Sequence, residues 1–182
     1  PYIKVYVNID EILSRAEKYI NNRLPQVTIF EGSSVSDPVP VEIYTGSLQR
    51  TIAFFGKTGH GRFRFVTKFD NIDSILKTAH NGHTRIRFSI NTENIINKYE
   101  QGPSRLPDRI RAAKRAVSAG FPAGFIIAPI MLAPQWEREY ANLFHILIKE
   151  FGEPVEGMDL TFELITHRYT PRARKRILEI YP

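Results

Sequence analysis

Arg85-Ile-Arg-Phe-Ser-Ile90 alternates a charged or hydroxylated side chain with a large apolar one at every step. Alternation of period two puts the two sets on opposite faces of a β-strand. The apolar set belongs in a core, so the arginines and the serine must border something else, as they would on the partly polar inner wall of a barrel. Further along, Ala123-Gly-Phe-Ile-Ile-Ala-Pro-Ile130 is almost continuously apolar, the pattern of a parallel strand covered on both sides.

Working outward from these two, short runs rich in Val, Ile, Phe and Thr predict further strands at 27–30, 63–67 and 159–165, beside 85–90 and 123–130. Amphipathic periods predict helices at 10–21, 48–55, 72–79, 93–99, 105–119, 135–151 and 172–181. The first has Asn8 as N-cap and Glu11 at the capping-box position, with Ile12, Leu13, Ala16, Tyr19 and Ile20 on one face. Strands alternating with helices imply parallel pairing through crossover helices. The class is therefore α/β. A partial or full (β/α) barrel with outer helices suits the polar alternation of 85–90 better than a doubly wound sheet, and spacing alone leaves both open. Residues 1–182 are expected to form one domain, cut from a longer protein because the chain starts at Pro1 and stops at Pro182.

Composition narrows the chemistry. The chain is 42% hydrophobic and 12% aromatic, too rich in core-forming residues for a disordered segment, and no apolar run nears the roughly 18 residues of a membrane span. There is no cysteine, which removes disulfides, thiol nucleophiles, zinc–thiolate sites and any iron–sulfur cluster ligated by these residues. The first ten residues carry neither an apolar signal region nor an Arg-rich amphipathic stretch, so a cytoplasmic location is the default. Lys and Arg total 25 against 19 acidic residues, a net charge of +6.

Ligands of parallel α/β folds sit beyond the C-terminal strand ends. Those positions hold Glu31, Gly32, Ser33, Ser34, Ser36 and Asp37, then Lys68, then Ser89 and Asn91, then Ala128 and Pro129, then His167 and Arg168. The set is small, polar and mixed in charge, suited to a zwitterion carrying a ribose. Lys68 can pair a carboxylate, the Ser36 and Ser89 hydroxyls can bond carboxylate or ribose oxygens, and the backbone near Ala128 can meet an adenine edge. The same Ser and Gly residues also make ordinary βα turns. Gly56-Lys-Thr-Gly-His-Gly61 has neither the spacing of a phosphate-binding loop nor a helix after it, and reads as a turn. His80 and His83 lack partners at ligand spacing, so no metal is assigned. Basic residues gather at Arg105, Arg109, Arg111, Lys114 and Arg115, and again at Arg168, Arg172, Arg174, Lys175 and Arg176. Such clusters either track a phosphate backbone, with Phe69 or Tyr169 stacking on a base, or are solvated helix faces.

Five runs together carry a resemblance. They are Val27-Thr-Ile-Phe-Glu-Gly-Ser-Ser-Val-Ser-Asp-Pro38, Gly61-Arg-Phe-Arg-Phe-Val-Thr-Lys-Phe69, His80-Asn-Gly-His-Thr-Arg-Ile-Arg-Phe-Ser-Ile-Asn91, Ala119-Gly-Phe-Pro-Ala-Gly-Phe-Ile-Ile-Ala-Pro-Ile130 and Asp159-Leu-Thr-Phe-Glu-Leu-Ile-Thr-His-Arg168. In order and spacing they resemble the spore photoproduct lyases, radical S-adenosylmethionine enzymes with a partial (β/α) barrel. The resemblance implies cleavage of the thymine dimer of ultraviolet-damaged spore DNA by a 5′-deoxyadenosyl radical, formed when a [4Fe-4S] cluster reduces S-adenosylmethionine. It implies DNA carrying thymine lesions and an electron donor as partners, and no membrane. Ser36, Lys68, Ser89 and the Ala128 backbone fall at the family's cofactor-binding positions, and Arg87, two residues before Ser89, is expected near the lesion. Two departures stand out. Ser34 occupies the position of the family's hydrogen-donor cysteine, and its O–H bond is too strong to return hydrogen readily to a carbon radical. The cluster motif, which the resemblance puts upstream of residue 1, is absent, so the metal ligands are not in this chain. A relative that binds S-adenosylmethionine or DNA without catalysis, and a radical enzyme with another substrate, remain the alternatives.

Overall fold

The computed structural model describes residues 5–33, 36–152, 158–166 and 169–180. Five strands, β1 (Thr28–Gly32), β2 (Gly61–Thr67), β3 (Thr84–Ile90), β4 (Ala123–Ile130) and β5 (Leu160–Thr166), lie side by side in sequence order, all parallel. Helix α1 (Ile9–Asn21) precedes β1. Helices α2 (Val39–Thr45) and α3 (Ser47–Lys57) join β1 to β2, α4 (Asp73–Leu76) joins β2 to β3, α5 (Glu93–Tyr99) and α6 (Leu106–Ser118) join β3 to β4, α7 (Trp136–Phe151) joins β4 to β5, and α8 (Pro171–Ile180) follows.

Alternation along the strands divides the two faces. Phe63, Phe65, Ile86, Phe88, Phe125 and Ile127 point toward the helices and form the core with Ile52 and Phe55 of α3, Ile110 and Ala113 of α6, and Leu143 and Leu147 of α7. The register puts Glu31, Arg64 and Arg85 in one row on the other face and Val66, Arg87, Gly124 and Thr161 in the next, with Ser89 beyond. Arg87, on the central strand, bonds carboxylates of both outer strands, Glu31 on β1 and Glu163 on β5. In a flat sheet each would be about 10 Å away. The sheet is therefore curled around that face, making half of a barrel with the helices outside, as the polar alternation of 85–90 predicts.

Several local expectations differ. Asn8 precedes α1 without a side-chain cap bond, its amide donating instead to the Glu11 carboxylate at 3.2 Å. Of the expected apolar face of α1, Ala16 and Ile20 are buried and Leu13 packs at the core edge, while Ile12 and Tyr19 are 45% and 53% exposed. The helix expected at 72–79 is one turn, Asp73–Leu76, after which Ala79 packs closely on Gly56 of α3. Helix α2 was not expected, and it holds a proline, a residue that breaks a helix interior. Pro40 instead lies in the first turn, where a missing N–H costs nothing, and Asp37 accepts the Val39 N–H at 3.1 Å in the manner of a cap. Helix α3 runs two residues past its expected end, through Gly56 and Lys57, and the expected turn into β2 is confined to the residues after it.

Candidate functional site

The C-terminal strand ends surround a cavity of about 620 Å³ lined by Glu31, Ser33, Ser36, Asp37, Val66, Lys68, Arg87 and Ser89. Four expected site residues thus share one hollow, drawn from β3 and the loops after β1 and β2. Ala128 lies at the end of the neighbouring β4 and is not in that lining. Pairing with β5 runs through Ile127 and resumes at Ile130, so 128–129 drop out of that ladder. Ser34, His167 and Arg168 lie outside the described residues.

The loop after β1 is shaped by Ser33, whose φ of 65° is left-handed, and by the bond between the Ser33 and Ser36 hydroxyls. Asp37 then fastens the loop to β2, accepting the Lys68 N–H at 2.7 Å with its second oxygen. Burial pushes the Asp37 carboxyl above its ordinary value, against the pull of the N–H bonds from Lys68 and Val39. The Lys68 ammonium meets Glu100 at 2.6 Å, and Glu100 also accepts from Arg109 at 2.5 Å. Burial raises the Glu100 carboxyl, and the two cationic partners reverse this, leaving it below the usual value.

Arg87 has a side chain 5% exposed. Its guanidinium bonds Glu163 at 3.0 and 3.3 Å and also Glu31, while Arg64 shares Glu31 at 2.7 Å. Its Nε–H is buried without an acceptor among the described residues. Gly124, beside it on β4, lets β5 approach closely, since a Cβ there would stand 2.5 Å from Thr161 Oγ1. At the rim, Tyr140 of α7 donates to Asn91 at 2.8 Å and accepts the Met131 N–H at 3.0 Å, tying the ends of β3 and β4 together. Burial is the main cause raising the Tyr140 hydroxyl above its usual value.

Glu100 and Arg109 were not singled out from the sequence as parts of a site. Arg109 is fully buried, which corrects its place in a solvated or phosphate-tracking cluster. The signal was present: with Leu106, Ile110 and Ala113 it occupies the i, i+3, i+4, i+7 stripe that faces a core. Its neighbours on α6 are also engaged, Arg111 with Asp108, Lys114 with Glu150 and Arg115 with Asp73. Arg172, Arg174, Lys175 and Arg176 on α8 are exposed. The two histidines lie before β3, at the opposite end from the hollow. His80 stacks on Phe121 at 3.7 Å and His83 Nδ1 is 2.9 Å from the Phe55 carbonyl.

The family model for spore photoproduct lyase matches residues 1–182. The chain is 46% identical over 182 residues to the spore photoproduct lyases of Clostridium acetobutylicum (strain ATCC 824) and Bacillus subtilis (strain 168), covering 100% of this chain and 53% of each of them. The chain thus spans about half the length of the curated relatives it matches. A solved spore photoproduct lyase double variant with bound AdoMet and dinucleoside spore photoproduct is 47% identical, with a TM-score of 0.90 over 100% of this chain and 53% of that one. Another, complexed with dinucleoside spore photoproduct, is 46% identical with a TM-score of 0.89 over the same shares. Among the described residues no helix is long and apolar enough to cross a membrane.

Proposed function

The chain belongs to the spore photoproduct lyase family, and from that membership we propose that it is the core of a radical S-adenosylmethionine lyase that cleaves the thymine dimer of ultraviolet-damaged spore DNA. One observation carries this: Ser36, Lys68 and Ser89 meet in a single hollow at the C-terminal strand ends of a parallel half-barrel. Its volume of about 620 Å³ suits a ligand of S-adenosylmethionine's size. The related structure that carries AdoMet and the lesion dinucleoside supports the same use of the fold.

In this function Lys68 holds the cofactor's carboxylate, the Ser36 and Ser89 hydroxyls bond its polar oxygens, and the Ala128 backbone, outside the β5 ladder, takes the adenine edge. Arg87 borders the lesion, and the Glu31 and Glu163 carboxylates keep its guanidinium in one orientation. S-Adenosylmethionine, when bound, supplies radical hydrogen-abstraction chemistry. The [4Fe-4S] cluster that such chemistry draws on does not fit these residues, because they include no thiol. Lesion-bearing DNA, an electron donor and a cytoplasmic location complete the proposal.

Ser34 favours a second reading, in which the barrel binds its ligands but the hydrogen-return step differs or the substrate is another. Anaerobic assay of the full-length protein on the dinucleoside lesion separates them. Conversion of the dinucleoside to two intact thymidines supports the lyase, and cofactor turnover without that product supports the second reading. In the same protein Lys68→Ala should weaken S-adenosylmethionine binding by about 1.5–3 kcal/mol, the worth of a charge-assisted bond. Unchanged affinity in a calorimetric titration would remove Lys68 from the site.

A further inference from the structure

The guanidinium of Arg109 is fully buried and absent from the lining of the cavity, yet it links two of the residues that line the hollow, Ser89 through its backbone carbonyl and Lys68 through Glu100. Its Nη2 donates to Glu100 at 2.5 Å, and the other carboxylate oxygen of Glu100 receives the Lys68 ammonium at 2.6 Å. Its Nη1 donates to the Ser89 carbonyl at 2.8 Å, and its Nε to the Ser104 carbonyl at 2.7 Å. Ser104 in turn gives its N–H to the Lys68 carbonyl at 3.1 Å. Lys68 follows β2 and Ser89 is on β3, so a single cation in the helix layer spans the segment after β2 and the end of β3. We propose that Arg109 and Glu100 are positioning residues for the cofactor site, fixing the Lys68 ammonium relative to the Ser89 hydroxyl before ligand binds.

The physics favours such a relay. A lysine has four rotatable bonds, and ordering it on a ligand costs free energy that a standing partner can remove in advance. Glu100 can serve because it is itself held. Its side chain is 13% exposed and its second oxygen is occupied by a side chain that is 0% exposed. Arg109 is suited because its fork supplies three donors in fixed directions, which a lysine cannot. An ammonium has three N–H groups and Glu100 takes one, so Lys68 keeps donors for a second carboxylate.

The proposal rests on Lys68 and Ser89 binding S-adenosylmethionine, and the experiment separates the two ideas. Full-length, cluster-loaded protein is titrated anaerobically with S-adenosylmethionine, and in parallel with its decarboxylated analogue, for wild type, Lys68→Ala, Glu100→Gln, the double variant and Arg109→Lys. Thermal unfolding confirms that each is folded. Gln at 100 still accepts from Arg109 but no longer tethers Lys68 by charge. Glu100→Gln is expected to weaken S-adenosylmethionine binding roughly 3- to 10-fold, the cost of ordering one long side chain. It should leave the decarboxylated analogue unaffected and add nothing in the Lys68→Ala background. Arg109→Lys should weaken both ligands, since it also releases Ser89.

Equal or tighter binding by Glu100→Gln, beside a weakened Lys68→Ala, would overturn the positioning role while leaving the site assignment intact. A full Glu100→Gln effect in the double variant would do the same. Wild-type affinity in Lys68→Ala would instead overturn the site assignment and the relay with it. If Arg109→Lys does not fold, the Glu100 and Lys68 cycle still decides.

Discussion

Gly56 shows how much one missing methyl group can set. It sits within α3, where replacing glycine by alanine ordinarily stabilises by about 0.5–1 kcal/mol. Here a Cβ would collide with the Ala79 carbonyl oxygen and stand 3.2 Å from its carbon, both backbone atoms of the segment leading into β3. Backbone yields less readily than a side-chain tip, so Gly56→Ala is expected to destabilise by about 1–3 kcal/mol, the usual cost of overpacking. Urea unfolding checks the sign, and a stabilised variant would mean that the two segments separate freely. The sequence 56–61 reads as a turn, but no local pattern says that Gly56 lies against a residue 23 positions later. Residue-scale legibility follows the same line elsewhere. Ser36, Lys68 and Ser89 are visible as strand-end residues, whereas Glu100 is an undistinguished position in a loop until Arg109 and Lys68 close on it.

Among the elements, α7 does more than cover β4. Its Tyr140 hydroxyl bonds both Asn91, just after β3, and Met131, just after β4. Phenylalanine would keep the ring's packing against Trp136 and leave the Asn91 oxygen and the Met131 N–H each one partner short. Tyr140→Phe should therefore cost about 1–2 kcal/mol in chemical denaturation, with little change in far-ultraviolet circular dichroism. A loss within error would show that water replaces the hydroxyl at no cost. The strands and most helices were legible because amphipathic periods are local. The misses have local causes of another kind. Prolines 38 and 40 interrupt any amphipathic period, so α2 is steadied by a bond the period does not show, the Val39 N–H to Asp37, and α4 ends after a single turn, Asp73–Leu76.

Across the whole molecule, the half-barrel is held at both rims by one side chain. Arg87 reaches Glu31 on the first strand and Glu163 on the last, so its removal should loosen the curvature, take the guanidinium from Glu163 and leave Glu31 to Arg64. Arg87→Met is expected to cost about 2–4 kcal/mol, at or below the range for breaking a buried pair because the carboxylates retain some water. Equilibrium unfolding measures it, and an unchanged midpoint would mean that backbone ladders and the outer helices hold the curl unaided. The sequence by itself determined the parallel α/β class, the polar inner face of β3, the absence of any thiol for metal or radical chemistry, and the strand-end positions of the candidate site. Each of these depends on composition or on spacings of a few residues. The tertiary structure alone decided which way the sheet curls, which of the five basic residues between 105 and 115 is buried, and that Arg109, Glu100 and Lys68 form one chain of contacts. Those outcomes depend on pairings between residues far apart along the chain, whose distances no local period encodes.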